Sequence, residues 1–566
     1  MKKKYVRWTL WTIASPFILF IILCILIYLP PIQNFLVDKA AVYASEATGM
    51  NISVGRISLS FPLNLVVTNV DAASPHNDTL LSVRRLQVNV QLLPLLKKQV
   101  EVDGISLQGA TVNSNDLIHG MKLNGTLGEL FISSHGVALD PETAIVNKVL
   151  LKDTDLSLCL NDTAAADTAA SDTTYWKIIL QDIDLQNVSF ALDMPLDSLS
   201  LAASLDNAIL RDGLIDLHKS AYSLQTFRIE NGRVRYDNGK PLAADSLSSG
   251  LDPSHIALTD IGVKLDSLYY GGRNMKAIIS QFVLKERSGV EIVSATGRMV
   301  SNDKVLRVPS LKLETRDSYL ELNAAMDWNA LDFKGEGLMS ARLMADIGKP
   351  DVVRFMGRMD EKFVRQYPSE PLRIRTGIDG DLNKLKLTTL TAELPGALGL
   401  FARGELTHLT DSLLRGGDIT LEAETKDLKF VSTLAEGIEI PYGTRLEGKF
   451  TMAGTKMGTD LLLMQPEAQA VVAADTIPIT VYNDSISVAD DFKMERAARL
   501  FAKYDLSRDR YEADLAVNHF DLHQFMPADS LYTLSTRLKV EGEGFDFFSP
   551  RTYFNAEGGI DRFHYG

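Results

Sequence analysis

After residue 50 the sequence alternates between apolar and polar positions with a period of two. Ile52 and Val54, and then Ile57, Leu59 and Phe61, are separated by polar residues or glycine. Successive strand side chains point to opposite faces, so these segments predict half-buried β-strands, and similar runs fill most of the chain. The N-terminus reads differently. Residues 8–29 form an apolar run without a charged side chain. At about 22 residues this run spans roughly 33 Å as a helix, enough for a hydrocarbon core of about 30 Å. It is longer than a signal-peptide core and no small-x-small cleavage site follows, which predicts an uncleaved single-pass anchor. Lys2, Lys3, Lys4 and Arg7 precede it, so residues 1–7 are expected on the cytoplasmic side and the bulk of the chain on the far side. Trp8, Trp11 and Tyr28 stand near its ends, where amphipathic rings favour the headgroup level. Pro30-Pro31 ends the run, and Ile32, Phe35, Leu36, Ala40, Tyr43 and Ala47 recur at helical spacing up to Gly49. This predicts a juxtamembrane amphipathic helix over 30–50.

Within the alternating region one motif recurs: two apolar residues spaced by two, then Asn, Asp or Gly, then resumed alternation. It occurs at Leu65/Val67/Asn69, Ile105/Leu107/Gly109, Val149/Leu151/Asp153, Ile183/Leu185/Asn187, Phe227/Ile229/Asn231 and Ile256/Leu258/Asp260. The third residue of each copy tolerates left-handed backbone, which suits a tight turn or a bulge. Such self-similarity predicts a repeated meander. The later half carries glycine-punctuated strands instead, at Gly377-Ile378-Asp379-Gly380, Gly448-Lys449-Phe450 and Val540-Glu541-Gly542-Glu543-Gly544, where bends or bulges are expected. The chain is accordingly divided into a repetitive region over 51–340 and a continued β-region over 341–566.

Short helices are expected over 351–367, with Phe355, Met356, Met359 and Phe363 on one face, and over 491–504. Residues 161–174, built from Asp, Thr, Ala and Ser, hold too little apolar content to pack and read as a solvated loop; 237–254 is a second candidate loop. The sequence stops at Gly566 in strand-like residues, which reads as a truncated C-terminus or an edge awaiting a further β-element. Strands of about 10–14 residues would number roughly 40 and, at about 4.8 Å each, give a long sheet.

A net charge of −14 argues against nucleic acid as a partner. Two cysteines, Cys24 and Cys159, supply no disulfide framework. No P-loop, GxGxxG, HExxH, GxSxG or CxxC motif is present, so neither an enzyme nor a cofactor is expected. His519, Asp521 and His523 would share one face of a strand, but His-x-Asp-x-His without a fourth ligand is a weak metal signal, and a surface strand or loop is the better reading.

Two segments carry a family resemblance. Residues 49–63, from Gly49-Met50-Asn51-Ile52 through Ile57-Ser58-Leu59 to Phe61-Pro62-Leu63, resemble the opening of the AsmA-like and TamB families. The segment from Leu80-Leu81-Ser82-Val83 through Leu92-Leu93-Pro94-Leu95-Leu96 to Val100-Glu101-Val102-Asp103-Gly104-Ile105-Ser106-Leu107 is similar to their next repeat. The resemblance implies an inner-membrane-anchored, periplasmic, bridge-like protein of a Gram-negative cell, whose β-sheet curls into an apolar groove. It further implies phospholipid acyl chains as cargo and, for the TamB branch, an outer-membrane assembly-type β-barrel as partner. The branch's C-terminal domain is not evident before Gly566.

The expected fold is thus mainly β: one transmembrane helix, then a long repetitive antiparallel sheet curled into a groove, with a few short helices. Ile105, Leu107, Ile183, Leu185, Phe227 and Ile229 are the residues expected to line that groove. Three functions stay open: a phospholipid-conducting bridge, an assembly factor that lends sheet edges to outer-membrane β-proteins, and a structural spacer. Filling of a dry sandwich core is the competing reading of the same apolar residues.

Overall fold

The computed structural model describes residues 49–60, 64–74, 79–90, 102–114, 121–138, 142–160, 175–239, 250–331, 337–356, 359–434, 437–465, 480–482, 485–487, 496–545, 549 and 552–566, with helical residues at 39, 41, 42 and 45. Residues 8–29, with Trp8, Trp11 and Tyr28, and the loop 161–174 lie outside them. Among the described residues no helix is long and apolar enough to cross a membrane. The fold is mainly β. Of the strands described, 26 are held in main-chain ladders and two form a separate hairpin. They are fewer than the roughly 40 expected from short strands, because several reach 18 residues.

The chain forms two compact units. The first comprises Met1–Ala243, Asp252–Gly272 and Ala277–Arg287, and the second Ala244–Leu251, Arg273–Lys276 and Ser288–Gly566. The change of sequence texture near 340 does not coincide with this division.

In the first unit, β1 (Asn51–Ser60), β2 (Asn64–Ala73), β3 (Thr79–Val90), β4 (Val102–Asn113), β5 (Met121–Ala138) and β6 (Thr143–Leu160) form an antiparallel meander. The expectation of a uniformly antiparallel sheet fails at the next step. Strand β7 (Lys177–Met194) runs parallel to β6, with Thr143 opposite Lys177 and Cys159 opposite Asp193. A parallel pair needs a connection of about a dozen residues or more, and the chain between Leu160 and Lys177 is long enough to supply it. Strand β8 (Leu199–Asp216) restores the antiparallel order. Next to it β9 (Ala221–Leu224) and β10 (Thr226–Asp237) continue one line, broken at Gln225, and both pair with β11 (His255–Gly271). Most of β12 (Asn274–Glu286) also belongs to this unit.

The second unit contains β13 (Glu291–Ser301), β14 (Val305–Thr315), β15 (Tyr319–Asp327), β16 (Met339–Ile347), β17 (Leu372–Gly380), β18 (Lys384–Leu394), β19 (Leu398–Thr407) and β20 (Gly416–Thr425). It continues with β21 (Arg445–Ala453), β22 (Lys456–Gln465), the hairpin β23 (Thr480–Tyr482) and β24 (Ser485–Ser487), β25 (Arg496–Asp505), β26 (Arg510–Asp521), β27 (Leu531–Glu543) and β28 (Tyr553–Tyr565). The ladder steps from β22 to β25, and each neighbouring pair is antiparallel. At one end of this unit, where β18 turns into β19, Phe363, Tyr367, Leu394, Ala397, Leu428 and Phe430 form a closed core. The Tyr367 and Phe430 rings stand 5.1 Å apart.

Two helical expectations are corrected. Residues 351–367 form not one face but two short helices, α1 (Lys349–Met356) and α2 (Glu361–Gln366). Asp360 caps the second by accepting a hydrogen bond from Lys362 N at 2.6 Å, which restarts the helix and loses the earlier phase. Phe363 is therefore buried while Phe355 and Met356 are exposed. Over 491–504, residues 496 onward are strand β25, because Ala498, Leu500, Ala502 and Tyr504 alternate with Arg499 and Lys503 and pair along β22. Of the loop 237–254, residues 240–249 lie outside the described residues.

Candidate apolar sheet face

The register of the first unit places the six groove residues named from the sequence on one face, in two adjacent rows. Leu107 is opposite Leu130, and the partners continue through Leu151 and Leu185 to Ala208 and Ile229. In the other direction the row runs through Leu86 and Val67 to Ile57. The second row leads from Ile105 through Ile132, Val149 and Ile183 to Leu210 and Phe227. Cross-strand partners share a face, so both rows form an apolar band perpendicular to the strands. On the opposite face the positions between the two rows are mixed, Gln87, Ser106, Phe131, Leu150, Asp184, Ile209 and Arg228, while the next row, toward Gly109 and Asp153, is polar, with Arg85, Gln108, Glu129, Lys152 and Gln186 as successive partners.

Among the described residues these rows are half-buried rather than sealed, apart from Ala208 at 4% exposure. The buried apolar residues of this unit are Ala72, Leu80, Val83, Ala110, Ala208 and Ala221, mostly small. Ile105 is 36% exposed, and the other five residues named from the sequence are half-buried. A dry sandwich core would bury its large aliphatic side chains under a second layer. Among the described residues of this unit, the non-strand elements are the turn Pro195–Asp197 and the helical positions at 39–45.

The six residues Asn69, Gly109, Asp153, Asn187, Asn231 and Asp260 all have left-handed backbone, with φ between 49° and 62°. They lie within strands rather than in turns between them, and they stand on one line across the sheet. Each ladder from β1 to β8 skips one position there: Gly55 and Asn69 fall between the pairs Val54/Val70 and Arg56/Thr68, and Gly128 and Asp153 between Leu127/Thr154 and Glu129/Lys152. An inserted residue reverses the alternation of a strand. Because neighbouring strands insert one at the same level, Leu65, Val67, Val70 and Ala72 stay on one face. Close approach explains Gly128, where a Cβ would lie 2.8 Å from both Asp153 Cβ and its carbonyl oxygen.

Amide and carboxylate side chains knit this seam. Asn187 Nδ2 donates to Asp153 Oδ1 at 2.9 Å, Asn231 Nδ2 to Asp206 Oδ2 at 2.7 Å, and Lys285 Nζ to Asp260 Oδ2 at 2.8 Å. Beyond the seam the apolar face continues with Val83, Ala110, Leu127, Thr154 and Val188. Thr154 is the polar intruder. It is 2% exposed, and its hydroxyl donates to its own strand at Lys152 O, 3.1 Å away.

His519, Asp521 and His523 do not converge. His519 has φ 45° and meets Asn518, Asp521 caps the turn that contains His523, and His523 Nδ1 lies 3.0 Å from Asp529 O. Among the described residues no group of three His, Cys, Asp or Glu side chains could hold a metal ion. In the first unit the Asp252 carboxyl is held below the usual carboxylate range by the Ser254 backbone N–H and by His255. Sequence reasoning did not place Leu86 and Leu130 in these rows, and it named Val149 and Leu151 only as a copy of the recurrent motif, although their own alternation signals them.

No protein-family model matches the sequence, and no curated protein matches it either.

Proposed function

We propose that the protein is a bridge-like carrier in which the apolar face of the β-structure shields phospholipid acyl chains from water between two membranes. The observation that carries this reading is the pair of apolar rows through Leu107 and Ile105, continuous from strand to strand and without a sealing layer among the described residues. An acyl chain in water costs about 0.8 kcal/mol per exposed CH₂. A band that accepts each methylene as the previous contact is left removes most of that barrier without an energy-consuming step.

On this reading residues 8–29 anchor the chain in the inner membrane of a Gram-negative cell, and the β-region lies in the periplasm. An outer-membrane assembly-type barrel is the partner that the AsmA-like and TamB resemblance suggests. One property of the chain supports the cargo half of the proposal: the uniform apolar chemistry of the rows.

The test is lipid content. The full chain purified in mild detergent should retain phospholipid detectable by mass spectrometry, and Leu107→Asp with Leu185→Asp should abolish it while the far-ultraviolet β-signal persists. Unchanged lipid in the double variant, or no lipid in the parent chain, would overturn the proposal.

A further inference from the structure

In the second unit a cavity of about 590 Å³ opens on an apolar face of the sheet, within the range of about 300–1,000 Å³ typical of small-molecule sites. Its floor is a row of small side chains. Thr459, Ala502 and Ala513 are successive cross-strand partners on β22, β25 and β26. Its flank is the adjacent row Met457, Tyr504 and Tyr511. Phe450, the partner of Thr459, continues the first row to Ile419 on β20, and Met452, Gly417 and Leu406 continue the flank to β19. Phe545, just past β27, stacks on Tyr511 with ring centroids 4.9 Å apart and reaches Tyr504 at 6.0 Å.

The dimensions select the ligand. Rows on one face are two residues apart, about 6.6–6.8 Å, so a trough lined by two adjacent rows is about one hydrocarbon chain wide. A flat fused-ring system would need two small rows side by side. The lining crosses six strands, β19 to β22, β25 and β26, at about 4.8 Å each, which makes it long as well as narrow. Phe450, Met457 and Phe545 are 42%, 44% and 60% exposed, so the rim itself presents apolar surface. Methionine adapts its shape to a flexible partner.

We infer that this trough is a holding site for one acyl chain of a lipid, with Phe545 as its lid over Tyr504 and Tyr511. The inference rests on the acyl-chain reading of the first unit and adds to it a defined station where one tail rests. Tyr504 is fixed by its hydroxyl, which donates to Asp509 Oδ1 and whose pKa is raised by that carboxylate. The ring is thereby a rigid wall, while Phe545 carries the movement.

The experiment is photolabelling of the full chain in detergent with phosphatidylcholine carrying a diazirine at the end of one acyl chain, followed by peptide mapping. Adducts should appear at Met457, Tyr504 and Tyr511. Ala502→Phe fills the floor from an open face and should remove those adducts while leaving adducts on the first-unit rows around Leu107 and Leu185. Ala513→Leu, a smaller filling, should do the same and guards against misfolding of the first variant. Phe545→Ala should keep the adducts and raise the rate at which unlabelled lipid displaces the probe before irradiation. First-unit adducts without trough adducts, or trough adducts that persist in both filled variants, would overturn the holding site and leave the bridge reading standing. Absence of adducts in both units would overturn both.

Discussion

Asn187 and Asp153 both have left-handed backbone and are side by side on the parallel pair of strands, with the Asn187 amide donating to the Asp153 carboxylate at 2.9 Å. Antiparallel neighbours in the meander instead set a left-handed residue against a regular one, as Asn69 stands against Gly55 and Gly109 against Gly128. The seam therefore keeps its level when the chain direction changes, and the apolar rows pass from β6 to β7 without a step.

This arrangement makes Asn187 sensitive to shape rather than to polarity alone. A β-branched side chain at positive φ costs about 1–3 kcal/mol, so Asn187→Val should lower local stability by about 2 kcal/mol. Asn187→Gly retains the backbone conformation and should cost under about 1 kcal/mol, the worth of the lost amide hydrogen bond. Amide hydrogen exchange along β6 and β7 resolves the two cases; equal protection in both variants would remove the seam's backbone role.

Much of the first unit was legible in the sequence. The six Asn, Asp and Gly positions announce left-handed backbone because the apolar alternation must change parity there and few residue types permit it. The skipped positions of the intervening strands, such as Arg84 and Asp206, carry no such mark. Alternation is blind to strand direction, so the parallel pair β6–β7 was hidden. Strand β25 was misread because Arg496-Ala497-Ala498-Arg499 favours helix locally, whereas ladders on both of its sides decide the outcome. The trough in the second unit was illegible because its floor joins Thr459, Ala502 and Ala513, which are neighbours only across strands.

Thr459 offers a test that separates packing from binding. Its Oγ1 is buried with no hydrogen-bond partner among the described residues, and an unsatisfied buried hydroxyl costs about 1–3 kcal/mol. Thr459→Val replaces it with a methyl of the same shape and should stabilise the second unit by about 1 kcal/mol or more, read as slower hydrogen exchange across β21, β22 and β25. Acyl labelling of the trough should be retained or increased. Faster exchange would mean that the hydroxyl has a structural partner.

The turn that follows Tyr504 carries the most perturbed carboxyl. Asp505 is lowered to about 2, first by the Ser507 hydroxyl, then by the Ser507 backbone N–H and by Thr455. These donors lie 2.7, 3.0 and 2.9 Å from Asp505 Oδ1. A depressed folded-state pKa contributes stability that is complete above the ordinary carboxylate range and is lost as pH falls through about 2. The Asp505 carboxyl carbon should titrate near that value by NMR, and in Asp505→Asn the turn should open equally at pH 3 and pH 6. A midpoint near 4 would show that the three donors do not hold the carboxylate.

Gln465 supplies the sharpest stability prediction because it is completely buried and binds a strand that is not its neighbour. Its Nε2 donates to Asp521 O at 2.9 Å and its Oε1 accepts from Asp521 N at 2.8 Å, reaching from the end of β22 past β25 to the end of β26. Main-chain ladders cannot make this link, so the side chain ties together strand ends that are separated by long connections. Gln465→Ala leaves a buried N–H and a buried carbonyl unpaired at about 1–3 kcal/mol each, and we expect a loss of about 2–4 kcal/mol localised to the end of β26. Gln465→Glu keeps the acceptor but sets a carboxylate against the Asp521 carbonyl, and it should be destabilising as well despite nearly equal volume. Hydrogen exchange at Asp521, His523 and Gln524 measures both variants. Wild-type protection in Gln465→Glu would mean that shape alone holds the strand ends, and the amide's two-way hydrogen bonding would then be irrelevant to the closure.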